Sequence, residues 1–276
     1  MHLPKASALT PKLIWLDSAE STNSQLIDLA KSESLPDFTV MVTANQLAGR
    51  GRSGRVWQAP AGASLAISVL LRPQTNDGGD LNRLGWIPLL AGLAMSENVH
   101  RLLGEAGEIG VKWPNDVLVN EKKICGVLSE LVMLSSSAAP QFGSNLGLVI
   151  GAGINVTLDS DHLPVPTATS LAIEGARMPA EESDRIDEVL AGYLERLSHW
   201  YRKFTDSRLS AQASGLQAAV TENCVSLGRE VRAILPNGVE EVGEALAVDA
   251  DGRLVLRLSR GEFVVGAGDI VHLRHN

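Results

Sequence analysis

A seven-residue stretch rich in glycine and arginine is the strongest chemical feature of this sequence. Gly49-Arg50-Gly51-Arg52-Ser53-Gly54-Arg55 combines three guanidinium groups with three glycines. Glycines let a backbone bend closely around an anion, and arginines supply planar donors that are always charged. The stretch is therefore a candidate phosphate or carboxylate site, and Trp57 just beyond it could stack on an aromatic base. An exposed solubilising loop or an RNA-contacting arginine tract remains an alternative.

A second constellation is Lys112-Trp113-Pro114-Asn115-Asp116, which lies between an apolar run and a predicted strand. Proline fixes the local backbone, so Asn115 and Asp116 project from a rigid turn. An asparagine can read a purine edge, and an aspartate can hold a magnesium ion that accompanies nucleotide phosphates. The alternative is an ordinary turn whose side chains satisfy their own backbone. Lys123 follows at a hairpin end, where it could neutralise a carboxylate or phosphate or simply be solvated.

Other reactive residue types give weaker indications. Gly151-Ala152-Gly153-Ile154-Asn155 closes an apolar run, and its small residues suit a close approach of backbone to a flat ligand. The six histidines offer no convincing metal spacing, and the serines lack a nucleophile-elbow context. Cys125 and Cys224 are the only cysteines, so we expect buried thiols in a reducing compartment. Neither a structural metal nor covalent enzyme catalysis is predicted.

The spacing of apolar residues along the sequence predicts the helices and strands that would position these side chains. Helices are predicted over residues 23–31, 81–103 and 181–204; Gly104 is a plausible stop for the second, and Pro88 a plausible kink in it. Strands are predicted over residues 38–44, 64–71, 116–119, 124–134 and 146–150, with residues 120–123 as a hairpin turn. Residues 135–144 have no periodicity and are predicted to form a mobile loop.

The chain is predicted to contain two domains. The centre reads as a mixed or antiparallel sheet with helices, and the segment from about residue 222 alternates strands and turns as a small barrel does. We place the boundary near residues 215–222, which gives a catalytic domain over residues 1–218 and a C-terminal domain over residues 219–276. A chain of 276 residues with 45% hydrophobic composition can fill both cores.

The charge balance limits the range of partners. The sequence has 24 lysines and arginines against 32 aspartates and glutamates, a net charge of −8, which opposes general affinity for nucleic acid. No run of 18 apolar residues and no secretory leader is evident. We therefore expect a cytoplasmic protein that binds neither nucleic acid nor membrane.

Taken together and in order, these segments resemble the biotin–protein ligase family. The resemblance covers residues 15–205 through Ser21-Thr22-Asn23, Gln46, the 49–55 stretch with Trp57, residues 112–116, residues 123–126 and residues 151–155. The last 55 residues or so look like the family's small SH3-like barrel. The resemblance implies an α+β fold: a class II synthetase-like catalytic domain, with a mixed sheet flanked by helices, followed by that barrel.

The resemblance also implies a two-step reaction with biotin, ATP and Mg²⁺. The expected catalytic residues are Arg50, Lys123 and Asp116, and Asp116 would help to place the magnesium ion. The expected biotin-binding residues are Ser21, Thr22, Asn23, Gln46, Gly49, Arg50, Arg52, Lys123 and Gly126. The expected ATP and adenylate-binding residues are Arg50, Arg52, Arg55, Trp57, Lys112, Asn115 and Asn155. The expected partner is a biotin carboxyl carrier domain, whose lysine accepts the biotinyl group.

The sequence also bears on how this chain would differ from DNA-binding members of the family, from related acyl ligases and from RNA-binding proteins. About 20 residues precede Ser21, too few for the DNA-binding helix-turn-helix of some family members, so we expect a ligase without operator binding, monomeric or homodimeric. A lipoate or octanoate ligase of related fold is the main alternative; such an enzyme would have no use for the ureido-binding set at Ser21, Thr22 and Gln46. An RNA-binding protein that uses the 49–55 stretch is the alternative from another class, and its binding would collapse with salt.

Overall fold

The computed structural model describes residues 1–73, 81–104, 107–134 and 146–273. The loop predicted over residues 135–144 lies outside the described residues. The helices are α1 Pro4–Ser7, α2 Thr22–Ser32, α3 Trp86–Leu103, α4 Glu182–Asp206 and α5 Leu216–Asn223. The strands are β1 Leu13–Trp15, β2 Thr39–Thr43, β3 Gly49–Arg50, β4 Val56–Trp57, β5 Ser64–Leu71, β6 Ile109–Lys112, β7 Asp116–Val119, β8 Lys122–Met133, β9 Leu146–Asn155, β10 Glu230–Ile234, β11 Glu240–Val248, β12 Leu254–Leu258, β13 Gly261–Val265 and β14 Asp269–His272.

A seven-stranded mixed sheet forms the centre of the molecule, as the sequence predicts. Its order is β1-β2-β5-β9-β8-β7-β6, and only the β1–β2 pair is parallel. Alternate residues of a strand face opposite sides of a sheet. Accordingly Val40 and Val42 join the core beneath α3 and α4, whereas Met41 joins a second core with Leu26 and Ala30 of α2. Helices thus flank both faces of the sheet.

The predicted helices form with small shifts in their ends. Ser21 caps α2, because its side-chain oxygen accepts a hydrogen bond from the N–H of Ser24 at 3.4 Å. Residues Leu81–Gly85 form a 3₁₀ helix, so the α-helix predicted from residue 81 begins only at Trp86. Pro88 then lies in the first turn, where a missing N–H interrupts no helical hydrogen bond, and no kink is required. Gly104 ends α3 with a φ of 68°.

The C-terminal part is an antiparallel sheet of five strands in the order β13-β12-β11-β10-β14. The predicted barrel is confirmed in its strand content, but among the described residues the edge strands β13 and β14 are not hydrogen-bonded to each other, so the barrel is not closed. Helix α5 crosses the predicted domain boundary at residue 218. The boundary itself stays a prediction.

Two buried indoles join the sheets. Trp86 Nε1 of α3 donates to the carbonyl oxygen of Ala250 at 2.8 Å. Trp113 Nε1 donates to the carbonyl oxygen of Gly252 at 3.0 Å. Both acceptors belong to the turn between β11 and β12, so this turn is fixed against the central domain.

None of the helices in the described part of the chain is long and apolar enough to cross a membrane.

Two glycines in helix interiors give a paired test of the packing around α3, where Gly92 faces β6 and Gly192 of α4 faces Asn98. A Cβ added at Gly92 would lie 3.4 Å from Val111 Cγ1, an ordinary contact, whereas one at Gly192 would overlap the side-chain oxygen of Asn98. Alanine is the better helix former, so we expect Gly92→Ala to raise the free energy of unfolding by up to about 1 kcal/mol. We expect Gly192→Ala to lower it by about 1–3 kcal/mol through overpacking. Urea unfolding measures both, and shifts of the same sign would contradict the packing described.

Candidate active site

One cavity of about 710 Å³ collects the chemical features of the sequence. Its walls come from the start of α2, the β3–β4 hairpin, the turn before β7, the middle of β8 and β9, and the C-terminal sheet. Of the residues predicted for the site, those that line the cavity are Ser21, Thr22, Asn23, Gln46, Arg50, Arg52, Arg55, Trp57, Lys112, Asn115, Asp116, Lys123, Gly126 and Asn155. Ser21 and Asn155, which are 134 positions apart in the sequence, thus line the same cavity.

A network of neutral polar groups forms one end of the cavity. Gln46 Oε1 accepts hydrogen bonds from the backbone N–H and the hydroxyl of Thr22, at 3.0 and 3.2 Å. The hydroxyl of Ser68, a residue absent from the sequence prediction, contacts Thr22 Oγ1 at 2.8 Å and Asn23 Oδ1 at 2.6 Å. These groups are fixed by one another inside the fold, and such preset donors and acceptors suit a small polar ring.

Gly49 is the one predicted binding residue outside the cavity lining. It lies buried in β3, and a Cβ there would overlap Gln46 Nε2 and the carbonyl oxygen of Trp57. The close packing of the Gln46 amide and the β4 backbone therefore requires a glycine here, and the predicted role of Gly49 in binding stays a prediction.

The arginine stretch is a short hairpin whose three guanidinium groups all have partners. Arg50 Nη2 lies 2.9 Å from both carboxylate oxygens of Glu130. Arg52 donates to Asn115 Oδ1 at 3.3 Å and to the Gly268 carbonyl oxygen at 2.9 Å, and Arg55 pairs with Asp269 at 2.7 Å. The arginines of this hairpin thereby contact both the central sheet and the C-terminal sheet.

Lys123 lies between a carboxylate and an aromatic ring. Its Nζ is 2.6 Å from Asp116 Oδ1 and 5.7 Å from the centroid of the Trp57 ring. The indole itself rests on the glycines of the neighbouring strands: a Cβ at Gly153 would lie 2.7 Å from Trp57 Cε2. The small residues that the sequence singles out in β9 therefore make room for a side chain of the protein.

The cationic groups of the cavity are partly withdrawn from water. Burial lowers the pKa of Arg52 and that of Lys112 below their ordinary values; for Lys112 the neighbouring Asp116 opposes the shift and Lys123 adds to it. Arginine stays charged regardless. A water-poor cation attracts an anion more strongly than a solvated one, because the local dielectric constant is lower.

Sequence reasoning missed the contribution of the C-terminal sheet. Arg229, Val271, His272 and Leu273 line the cavity. His272 Nε2 lies 3.0 Å from the hydroxyl of Ser226, whose oxygen also accepts the N–H of Trp113 at 3.2 Å. The C-terminal sheet thus supports the turn that carries Lys112 and Asn115, a long-range pairing that no local motif announces. Glu130 was missed for the same reason.

Other chemistries find no support in the described residues. No group of three or more histidine, cysteine, aspartate or glutamate side chains within the described ranges is placed to hold a metal ion. Both cysteines are buried and unpaired, as predicted. Burial raises the pKa of the Cys125 thiol far above its usual range, which makes it a poor nucleophile.

A cavity in which fixed neutral polar groups adjoin several cations, on a mixed sheet flanked by helices, is suited to joining an acid to a phosphate-bearing cosubstrate. Two models of ligase families match the chain, in agreement with a protein that joins an acid to a phosphate-bearing cosubstrate. Residues 15–148 match the Biotin/lipoate A/B protein ligase family, and residues 226–273 match the Biotin protein ligase C terminal domain.

Individual relatives extend over nearly the whole chain. The biotin–[acetyl-CoA-carboxylase] ligase of Mycobacterium tuberculosis is 36% identical over 92% of this chain and 86% of its own length. That of Paracoccus denitrificans is 29% identical over 92% of this chain and 98% of its own. The biotin protein ligase of Aquifex aeolicus, solved in complex with biotin and ATP, superposes with a TM-score of 0.72 at 27% identity, covering 95% of this chain and all of that one. The chain belongs to the biotin–protein ligase family.

His272 gives a pH test of the contact between the domains. Burial, assisted by Lys112 and Arg229 and opposed by Glu121, lowers its pKa from 6.5 to about 4. As the pH falls below 6.5 the unfolded chain gains this proton before the folded one, so the free energy of unfolding decreases towards pH 4. We expect His272→Gln to lose less stability than the parent between pH 7 and 4.5 in urea titrations. Parallel losses in the two proteins would contradict the assignment.

Proposed function

We propose that this chain is an ATP-dependent ligase that forms biotinyl-AMP and transfers the biotinyl group to a lysine of a biotin carboxyl carrier domain. The observation that carries the proposal is the continuity of the cavity, in which the fixed polar end at Thr22 and Gln46 adjoins the cationic part at Arg50, Arg52 and Lys123. Biotin has the matching polarity, with a polar ureido ring at one end and a carboxylate at the other.

In the first step a carboxylate oxygen of biotin attacks the α-phosphorus of ATP and pyrophosphate leaves. Both reactants are anionic, so cations must offset their repulsion as they approach. Lys123 and Arg50 supply that charge, and Arg52, Arg55, Lys112, Asn115 and Asn155 form the nucleotide part of the proposed site with Trp57. Ser21, Thr22, Asn23 and Gln46 hold the ureido ring, and Gly126 leaves room beside Lys123, whose Nζ would lie 3.0 Å from a Cβ there.

In the second step the acceptor amine attacks the biotinyl carbonyl, the amide bond forms and AMP leaves with the anhydride oxygen. The amine must lose a proton, and Asp116 or solvent takes it. Until the acceptor arrives the mixed anhydride must be kept from water. The β3–β4 hairpin does this in our proposal, with Arg55 tied to Asp269 across the domains.

Magnesium enters this proposal as part of the nucleotide substrate. Mg²⁺ is commonly held by one or two carboxylates together with substrate phosphates. Asp116 and Glu121 are the carboxylates among the described residues that line the cavity, and Asp116 lies at its cationic centre. This single well-placed acid fits an ion that arrives with ATP better than a resident one.

The cysteines and the net charge bear on the compartment and the partners of the enzyme. Two buried, unpaired cysteines and the use of ATP fit a cytoplasmic enzyme. The net charge of −8 does not favour nucleic-acid binding. We propose a monomer or homodimer that acts on a carrier domain of acetyl-CoA carboxylase or a related carboxylase.

The decisive experiment is exchange of labelled pyrophosphate into ATP by the purified chain with magnesium, followed by transfer of labelled biotin to a carrier domain. Exchange that depends on biotin, with transfer, is the expected result. Exchange with lipoate or octanoate but not biotin would replace the proposal by the acyl-ligase alternative. Failure with every acid would leave RNA binding to be tested.

Lys123 and its neighbour Lys122 provide a matched pair, since Lys122 is exposed on the same strand. We expect Lys123→Met to slow biotin-dependent exchange roughly 10²- to 10³-fold, as when one preorganised charge-stabilising donor is removed. Lys122→Met should exchange like the parent. Equal rates in all three proteins would exclude Lys123 from the reaction.

Arg50 is expected to act in both formation and retention of the adenylate. For Arg50→Ala we expect slower formation of biotinyl-AMP and its escape into solvent, seen as labelled adenylate in the filtrate after rapid ultrafiltration. Unchanged formation and retention would remove Arg50 from the site.

A further inference from the structure

We propose that Glu130 is a positioning residue for the adenylate: its carboxylate holds the Arg50 guanidinium at the cavity and ties it to the ring-binding end through Asn23. The inference rests on the proposed function and adds to it a residue outside every motif of the sequence. Glu130 itself does not line the cavity, whereas Arg50 and Asn23 do.

The contact with Arg50 uses one nitrogen and leaves the rest of the guanidinium available. Nη2 lies 2.9 Å from Oε1 and 2.9 Å from Oε2 of Glu130. Within the described ranges, neither Nε nor Nη1 of Arg50 makes a hydrogen bond. In a guanidinium the Nε–H points to the side of Nη2, so each edge that makes two parallel hydrogen bonds includes Nη2, and Nε and Nη1 donate as separate single hydrogen bonds. The pairing therefore orients Arg50 and leaves two of its nitrogens to donate single hydrogen bonds to an anion in the cavity.

The carboxylate is itself fixed from inside the fold. Asn23 Nδ2 donates to Glu130 Oε2 at 2.9 Å and to the Leu128 carbonyl oxygen at 3.3 Å, and the Asn23 oxygen contacts the Ser68 hydroxyl at 2.6 Å. Asn23 is only 4% exposed and Ser68 is fully buried. A Cβ at Gly151 would overlap Asn23 Oδ1, so the first glycine of the β9 motif is needed to seat this amide. A rigid amide therefore holds a rigid carboxylate.

Two opposing effects follow from a carboxylate at this place. The side chain of Arg50 is 46% exposed and would sample many rotamers without a partner; fixing it beforehand reduces the entropy lost when an anion binds. The negative charge of Glu130 also repels an approaching anion. A positioning role requires the first effect to be the larger. Removal of the charge should then weaken retention of the adenylate, although electrostatics alone would strengthen it.

The test is a double-mutant cycle on the release rate of labelled biotinyl-AMP formed in place from biotin and ATP. We expect Glu130→Gln to release it roughly two- to fivefold faster than the parent, the upper part of the range for a partly exposed ion pair. In an Arg50→Ala background the same substitution should change the rate little, because its effect passes through Arg50. The matched control is Glu244→Gln, which removes the charge of an exposed pair with Arg257 on the C-terminal sheet and should release adenylate like the parent.

Three results would overturn the inference: an unchanged release rate in Glu130→Gln, slower release, or an equal factor in the presence and absence of Arg50. If Glu130→Gln does not fold, Glu130→Asp, which keeps the charge on a shorter side chain, takes its place in the cycle, and the same three results overturn the inference. A parent protein without biotin-dependent exchange would instead contradict the proposed function, so the two failures are distinguishable.

Discussion

The site can form only if the mutual repulsion of its cationic side chains is offset. Five basic side chains predicted for the site line one cavity, and burial lowers the pKa of two of them, Arg52 and Lys112. Like charges so gathered destabilise a fold unless each has a counter-charge or a fixed acceptor. Here Asp116 comes from the strand next to Lys123, whereas Glu130 and Asp269 come from distant parts of the chain. One of these pairs, Arg55–Asp269, also links the cationic hairpin to the C-terminal sheet.

Much of the fold can be predicted from local patterns. The cap at Ser21, the periodic run that becomes α3, and the hairpin between β7 and β8 are each specified within a few residues. The short elements α1, β1 and β6 were not predicted, because three or four residues carry too little periodicity to separate a strand or helix from a loop. Their conformations are fixed by tertiary partners, as when Asp187 of α4 accepts the backbone N–H groups that begin α1.

The candidate site, like the fold, could be predicted from the sequence only in part. Its motifs could be recognised because glycine, arginine and proline have distinctive backbone or charge properties. Every residue predicted for the site except Gly49 lines the cavity. Residues that act through a partner carry no such mark. Glu130 lies 80 positions from Arg50, and Ser226 lies 46 positions from His272. Only the strand order brings these pairs together, so a single sequence could not disclose them.

The contact between the two sheets constrains main-chain shape more than side-chain identity. Trp86 and Trp113 both donate to main-chain carbonyl oxygens, those of Ala250 and Gly252. A carbonyl oxygen is present whatever the side chain, so the interface constrains the shape of this turn more than its composition. Gly252, with a φ of 81°, is the exception, since that conformation disfavours a side chain. Substitutions elsewhere on the surface of the C-terminal sheet are therefore compatible with both indole hydrogen bonds, as long as the main-chain path of this turn is kept.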